Sequence, residues 1–445
     1  MRKGSGGLDW TVPQARALHG EIVLPGDKSI GHRSLLLAAL AEGVSELAGL
    51  PQGADVLSTA RAIAALGVTV ERAAEEDNAA RVAGKGLHGL EAASSAIDCG
   101  NSGTTMRLLA GILAGQTFES ILSGDRSLQS RPMRRIAEPL RAMGVTFETA
   151  GGGTAPLRIS GTKRPLRAII HRPQVASAQV KSCVLLAGLY ADGETSVEEP
   201  LPTRDHSERL LRAMGARVDV TPAGSGQLVS VQPEPLLQPL HGRIPADVSS
   251  ASYWLVAASL CPGSALTLPR VGLNPSRSAI VEVLQSWGAS IEIRDRGEWC
   301  GEPFGTLEVR GSGGEISGGR ITAERVPALI DELPLLAALG PFTRSGVEIL
   351  GAGELRVKES DRIAAIAAAL RALGAEVDEF PDGLAVAGET GLDGGVVNAL
   401  GDHRIALAMG AVAVAAKGPV TVSGAEAMSI SYPDFSATLV EVASG

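Results

Sequence analysis

The feature that most constrains this chain is an internal repeat. A helix that ends in glycine and runs into a strand occurs five times: AIAALGVTVE at Gly67, LRAMGVTFE at Gly144, LRAMGARVDV at Gly215, LQSWGASIEI at Gly288 and LRALGAEVDE at Gly374. In each, the glycine suits a left-handed position after the helix, and alternating apolar residues begin a strand. A second signature alternates with the first. It is a small or charged polar cluster that opens an Ala/Leu helix, near Ser29, Ser102, Ser177, Ser250, Asp331 and His403. Both series return about every 70–85 residues, which is the mark of duplication.

Six units of mixed strand and helix follow. Each carries one Ala-rich helix, apolar nearly all round, and one amphipathic helix that ends in the glycine. A helix apolar on every face belongs in an interior. The repeat therefore predicts sheets facing outward and Ala-rich helices packed inward, three to a core. At 445 residues, two domains of about 200 residues each are expected. Aromatic residues make up only 3% of the chain, so the cores must be built from Ala, Leu, Val and Ile. The Pro/Gly-rich run VQPEPLLQPLHGRIP marks the midpoint of the repeats. Chain crossings near 24 and near 243 place one three-repeat domain at 25–243 and the other at 1–24 plus 244–445. The strand in GEIVLPG then belongs to the second domain. GEWCGEPF (297–304) reads as a surface insertion without chemistry, and Gly151–Gly153 as a turn.

Several classes of function are disfavoured. No window approaches 18 consecutive apolar residues, so no transmembrane helix is expected. The first residues, MRKGSGGLDWTVPQAR, lack the apolar stretch of a secretory signal. Cys99, Cys183, Cys261 and Cys300 show neither CxxC nor Cys/His spacing, which suits a reducing cytoplasm and argues against a zinc site. A formal net charge of −9 disfavours nucleic acid as a partner.

Against that acidic background, cations gather at helix starts. Lys28, Ser29 and Arg33 follow the turn Pro25-Gly26-Asp27, with Ser29 as the expected N-cap. Unpaired N–H groups, the helix dipole and two cations together suit a phosphate or carboxylate. The sequence NSGTTMR (101–107) supplies small residues that let backbone approach a ligand. Arg126 and Arg131 sit in GDRSLQSRPM, Ser177, Gln179 and Lys181 in ASAQVKS, and Arg204 in PTRDH. The second half offers Asp331-Glu332, then Lys358, Glu359, Asp361 and Arg362 in VKESDR, then Asp402, His403 and Arg404 in GDHR. Each cluster alone reads equally as a capped or solvated first turn, and Cys99 as a buried small side chain. Repeated in both halves, they point to a cleft between domains that binds a multiply anionic ligand.

These motifs, PGDKSIGHR, GNSGTTMR, SRPM, ASAQVKS, LRVKESDR and GDHRIALAM, resemble the 5-enolpyruvylshikimate-3-phosphate synthase family over about Leu24–Phe435. The resemblance implies a two-domain inside-out α/β barrel of six βαβαββ-like units, three per domain, closing over the substrates. It implies transfer of enolpyruvyl from phosphoenolpyruvate to the 5-hydroxyl of shikimate 3-phosphate, without metal or other cofactor, in a cytoplasmic, monomeric enzyme. Lys28, Ser29, Arg33, Ser177, Ala178, Gln179, Arg204, Asp331 and Lys358 then match the shikimate 3-phosphate site. Lys28, Asn101, Gly103, Arg131, Gln179, Arg362 and Arg404 match the phosphoenolpyruvate site, which the herbicide glyphosate occupies in this family. Asp331 and Glu359 match the acid/base pair, with Lys28 beside them and Lys28 and Lys358 expected to keep Asp331 ionised.

Two departures stand out. Ile430-Ser431 stands where the family often has a lysine, and the chain ends at VEVASG, so the sixth unit must be truncated or closed in another way. Two rivals remain. The sister enolpyruvyl transferase acting on UDP-N-acetylglucosamine carries Lys-Asn at the first helix start and a catalytic cysteine in its loop. A non-catalytic anion-binding repeat protein would keep the basic helix starts, but has no reason to keep Asp331 with Glu359.

Overall fold

The computed structural model of the protein describes residues 2–4, 7–73, 78–312 and 316–443. Among these residues there are six four-stranded sheets, and the chain divides into two compact units. One, the inserted unit, comprises Gly26–Ile244 with Trp299–Glu302; the other, the terminal unit, comprises Met1–Pro25, Pro245–Glu298 and Pro303–Gly445. Each holds three sheets, so the six βαβαββ units expected from the repeat are present, three to a unit.

The inserted unit contains α1 (Lys28–Ala39), α2 (Ala54–Ala64), α3 (Gly103–Ala114), α4 (Arg126–Ser130), α5 (Arg134–Ala142), α6 (Ala178–Gly188) and α7 (His206–Ala213). Its middle repeat shows the common pattern. Strand Ile97–Asp98 pairs parallel with Ser120–Ser123, with α3 between them; Thr154–Ile159 then pairs antiparallel with Ser120–Ser123 and with Phe147–Ala150. The Ala-rich helices α1, α3 and α6 are buried along nearly their whole length. A Cβ built on Gly111 of α3 would lie 2.3 Å from the carbonyl oxygen of Cys183 on α6, so glycine there permits this close backbone approach. Small residues take the place of aromatics in this interior.

The terminal unit contains α8 (Val248–Leu260), α9 (Ala279–Ser286), α10 (Val326–Leu329), α11 (Leu333–Leu339), α12 (Arg362–Ala372), α13 (His403–Ala413) and α14 (Phe435–Ala443). Every residue of α8, α11 and α13 is buried. The unit concentrates the chain's aromatics: Trp254 packs on Phe435 with ring centroids 4.9 Å apart, and Trp10 meets the same ring edge-on.

Both crossings near 24 and 243 exchange strands. His19–Glu21, which precedes α1 in the chain, pairs parallel with Ala265–Gly272 in the terminal unit's first sheet. The vacant place beside Val44–Ala48 is filled by His241–Arg243. The sixth sheet is closed by the chain's own beginning: Gly7–Thr11 pairs antiparallel with Val420–Ser423, and Arg2–Gly4 lies outside it. All five repeat glycines, Gly67, Gly144, Gly215, Gly288 and Gly374, have positive φ.

Two local expectations are corrected. Ser29 is not the N-cap of α1; Asp27, two residues earlier, is, because its carboxylate reaches the third amide of the helix, that of Ile30, at 2.9 Å. The segment 297–304 is no surface insertion. It comprises the adjoining ends of strands Ser290–Trp299 and Glu302–Arg310 and the turn Cys300-Gly301 that joins them, and its tip, Trp299–Glu302, is part of the inserted unit. There Glu302 is buried against His206 Nδ1 at 2.7 Å, and Trp299 Nε1 donates to the His241 carbonyl at 2.8 Å.

Candidate active site

In the inserted unit, helix starts carry the expected residues. Lys28, the first residue of α1, is half-buried and donates to Asp55 Oδ2 of α2 at 3.2 Å. Ser29 follows it, and its carbonyl accepts from Arg33 Nη1 at 3.0 Å. Arg33 is buried. Its Nε donates to Ser207 Oγ of α7 at 2.8 Å and its Nη2 to Ser182 Oγ of α6 at 3.0 Å. Burial lowers its guanidinium to about 10, with Glu208 opposing, so it stays charged near neutrality. Three of its five N–H groups are thus committed to protein oxygens, and Arg33 braces three helices as well as carrying charge.

A second set forms around α3. Ser102 caps this helix, accepting from the Thr105 amide at 3.1 Å, and leaves Asn101 and Gly103 on either side of the cap. Arg131, which ends the short helix α4, donates through Nη2 to Asn101 Oδ1 at 2.6 Å, while Asn101 Nδ2 donates to Asp125 at 2.7 Å. Gln179, in the first turn of α6, accepts from Arg107 and donates to Thr104 Oγ1 at 2.9 Å. Ser177 is the N-cap residue of α6 and Ala178 its first residue. Both are half-buried, as is Arg204 just before α7.

Lys181 does not belong to this set. It is fully buried, 2.6 Å from Glu208 and 2.9 Å from Glu199, and burial opposes its charge while both carboxylates raise its pKa. It is a structural ion pair. Cys99 is likewise an interior side chain, its thiol pushed up to about 12 by burial and the nearby Asp98.

The terminal unit gathers the remaining chemistry around one carboxylate. Asp331 lies 3.6 Å from Arg362, 3.7 Å from Arg404 and 3.9 Å from Arg277. Arg362, the first residue of α12, is buried and serves two further acids: Glu359 at 2.6 Å and Asp402 at 2.8 Å. Burial disfavours the charge on Arg362, yet Glu359, Asp402 and Asp331 raise its pKa. Burial equally penalises Asp402, but Arg362 and His403 hold its carboxyl below the usual range. Asp402 also caps α13, accepting from the Arg404 amide at 2.9 Å. Burial opposes the charge on Arg404, and Tyr253, Asp331 and Glu332 together raise it well above the ordinary value.

Lys358 pairs with Glu354 at 3.4 Å and Lys28 with Asp55 at 3.2 Å, while three arginines stand within 4 Å of Asp331. Arg277 is missing from the sequence reading. It is buried, donates to Ser249 Oγ at 2.5 Å and to Glu332 at 3.3 Å, and only the fold brings it to Asp331. Asp55 is missing too, although an acid in the first turn of a helix that follows a cationic one is a signal of sorts.

Chemically, the inserted unit offers cations, amide groups and serines at half-buried helix starts, which suit phosphate. The terminal unit offers carboxylates interleaved with guanidiniums, able to bind an anion and to move protons. The described cysteines are Cys99, Cys183 and Cys261, all buried, and Cys300 at the strand turn; none stands at these helix starts.

Comparison with known proteins identifies the family. Residues 12–439 match the family model described as EPSP synthase (3-phosphoshikimate 1-carboxyvinyltransferase). A 3-phosphoshikimate 1-carboxyvinyltransferase of Synechococcus sp. (strain JA-3-3Ab) is 48% identical over 96% of this chain and 95% of its own. One of Geobacter sulfurreducens is 47% identical over 96% of this chain and 98% of its own. The structure of EPSP synthase from Acinetobacter baumannii superposes with a TM-score of 0.85 at 38% identity, covering 98% of each chain. On its fold, its helix-start chemistry and these relatives, the chain belongs to the EPSP synthase family.

Proposed function

We propose that this chain transfers the enolpyruvyl group of phosphoenolpyruvate to the 5-hydroxyl of shikimate 3-phosphate and releases inorganic phosphate. The observation that carries this reading is the placement of Arg362 among Asp331, Glu359 and Asp402, at 3.6, 2.6 and 2.8 Å. One buried cation there serves a base, an acid and a fixed anchor at once. In the addition step, Asp331 accepts the proton of the 5-hydroxyl, the oxygen bonds to C2, and Glu359 delivers a proton to C3, making a methyl group. In the elimination step, C3 returns a proton, the double bond re-forms and the C2–O bond to phosphate breaks. Charge on phosphate and carboxylate persists throughout, so fixed cations contribute by electrostatic positioning.

In this reading Lys28, Ser29, Arg33, Ser177, Ala178, Gln179, Arg204 and Lys358 hold shikimate 3-phosphate together with Asp331. Lys28, Asn101, Gly103, Arg131, Gln179, Arg362 and Arg404 hold phosphoenolpyruvate, where guanidiniums can fork onto carboxylate and phosphate. The carboxylates assigned to acid/base work lie in the terminal unit and the serines assigned to phosphate in the inserted unit. Shikimate 3-phosphate is expected to change the radius of gyration in small-angle scattering. We read the chain as a monomer in the cytoplasm, where the burial of Cys99, Cys183 and Cys261 suits a reducing compartment; among the described residues no helix is long and apolar enough to cross a membrane.

The test is phosphate release from phosphoenolpyruvate with shikimate 3-phosphate and, separately, with UDP-N-acetylglucosamine. Release with the first alone is the expected outcome. Release only with the UDP-sugar would move the chain to the sister activity, and release with neither would leave an anion-binding protein.

A further inference from the structure

Three hydroxyls and one imidazole in the inserted unit form a buried chain. His32 Nδ1 lies 2.6 Å from Thr59 Oγ1, which lies 2.6 Å from Thr105 Oγ1, which donates to Ser102 Oγ at 2.7 Å. All four side chains are completely shielded from solvent. The chain joins α1, α2 and α3 and ends on the residue that caps α3 between Asn101 and Gly103.

Its polarity can be worked out from the far end. Thr105 spends its proton on Ser102, so towards Thr59 its oxygen can only accept. Thr59 must then donate to Thr105, and its own oxygen is left to accept from His32. The imidazole therefore carries a proton on Nδ1, and Nε2 is the nitrogen that finds no hydrogen-bond partner. A buried neutral ring agrees with burial and the neighbouring Lys28 and Arg33, all of which depress its pKa well below 6.5.

We propose that this chain is a positioning relay: it holds the Asn101–Gly103 turn in register with the Lys28–Arg33 turn, so that phosphoenolpyruvate binding depends on His32 and Thr59, neither of which touches substrate. The inference rests on the assignment of the two substrates made above. The two ends of the relay are not equally dependent on it. The α1 turn stays pinned by the Asp27 cap and by the three hydrogen bonds of Arg33 when the relay is cut. The displacement then falls on the first turn of α3. That turn carries Gly103, where an added Cβ would already lie 3.3 Å from Arg131 Nη1, so a small shift there moves against the guanidinium expected to grip phosphoenolpyruvate.

Thr59→Val keeps the shape of the side chain and removes the hydroxyl; Thr59→Ser restores it. Steady-state kinetics on both, with shikimate 3-phosphate affinity measured separately in the absence of phosphoenolpyruvate, reads the relay. Thr59→Val is expected to raise KM for phosphoenolpyruvate about 5–10-fold, the scale of one hydrogen bond, and to leave shikimate 3-phosphate affinity within about twofold. Thr59→Ser should behave as the wild type. Unchanged KM in Thr59→Val, equal weakening of both substrates, or failure of Thr59→Ser to recover would each overturn the relay. Should Thr59→Val prove insoluble, His32→Leu and its donor-keeping counterpart His32→Asn cut and restore the same chain from the other end and are read in the same way. A wild type that turns over neither substrate would sink the substrate assignment instead. Amide hydrogen exchange over residues 101–106 then still decides the relay, because unchanged protection in Thr59→Val overturns it and faster exchange supports it.

Discussion

Glu359 Oε2 accepts a hydrogen bond from Arg362 Nη2 at 2.6 Å, three residues along the chain. An acid paired to a guanidinium favours its charged form, whereas protonating C3 of phosphoenolpyruvate requires the neutral one. On the site assignment proposed above, phosphoenolpyruvate engages Arg362 itself, which would weaken the pair and let Glu359 take a proton. Glu359→Gln keeps the shape and cannot donate that proton. Turnover is expected to fall about 10²–10⁴-fold with substrate binding retained, as measured by rapid-quench kinetics and equilibrium binding. Near-normal turnover would remove Glu359 from the chemistry.

Gly103 offers a steric test of the phosphoenolpyruvate site. A Cβ at this position would stand 2.9 Å from Arg107 Nη1 and 3.3 Å from Arg131 Nη1, both flexible side-chain ends. Gly103→Ala should therefore fold, while displacing the guanidiniums at a cost of about 1–3 kcal/mol in ligand binding. Glyphosate is expected to compete with phosphoenolpyruvate in the wild type and to lose more affinity than the substrate in Gly103→Ala. Inhibition kinetics at several phosphoenolpyruvate concentrations checks both halves of this statement.

Arg277 separates support from chemistry. It is buried against Glu332, which is 1% exposed, and so is a charge that Glu332 needs. Arg277→Met leaves a buried carboxylate with less compensation and should cost about 3–5 kcal/mol of stability, read by denaturant unfolding. A loss below about 1 kcal/mol would mean that Arg404, 3.9 Å from Glu332, compensates for it.

The repeat was legible because it is local. A glycine after a helix and an Ala/Leu run announce themselves within a dozen residues, and their periodic return predicted six units correctly. The partners of charged residues were not legible in the same way. Lys181 shares a motif with Ser177 and Gln179 yet sits one helical turn deeper, against Glu199 and Glu208, which arrive from later strand and helix. Arg277 stands in an otherwise unremarkable NPSRS segment, and nothing local announces that Asp331 will come beside it. Spacing fixes which face of a helix a side chain occupies; the identity of the element packed on that face is a tertiary fact.

His32 also predicts a pH dependence of stability. Burial, then Lys28 and Arg33, hold its folded-state pKa well below 6.5. The unfolded chain therefore binds the proton more readily, and stability is full above about pH 6.5 and falls as the pH drops below it. The slope approaches one proton, about 1.4 kcal/mol per pH unit, until the folded-state pKa is reached. His32→Asn lacks the titrating group and should flatten this part of the profile between pH 7 and pH 5, as measured by urea midpoints. Parallel profiles for the two proteins would contradict it.

The closure of the sixth sheet by the strand Gly7–Thr11 sets a timetable for biosynthesis. Thr11 and Thr421 meet across a sequence separation of 410 residues. At about 5–20 residues per second, the strand Gly7–Thr11 waits roughly 20–80 s for this neighbour to be made. The inserted unit, by contrast, needs from the later chain only the short Trp299–Glu302 turn, and its three sheets are complete once Arg243 has emerged. Vectorial synthesis thus favours an order in which the middle of the polypeptide folds first and an unpaired strand edge is carried along until the end. Chaperone capture during translation should map to that early strand, and an affinity tag fused ahead of it would burden the last step of folding rather than the first.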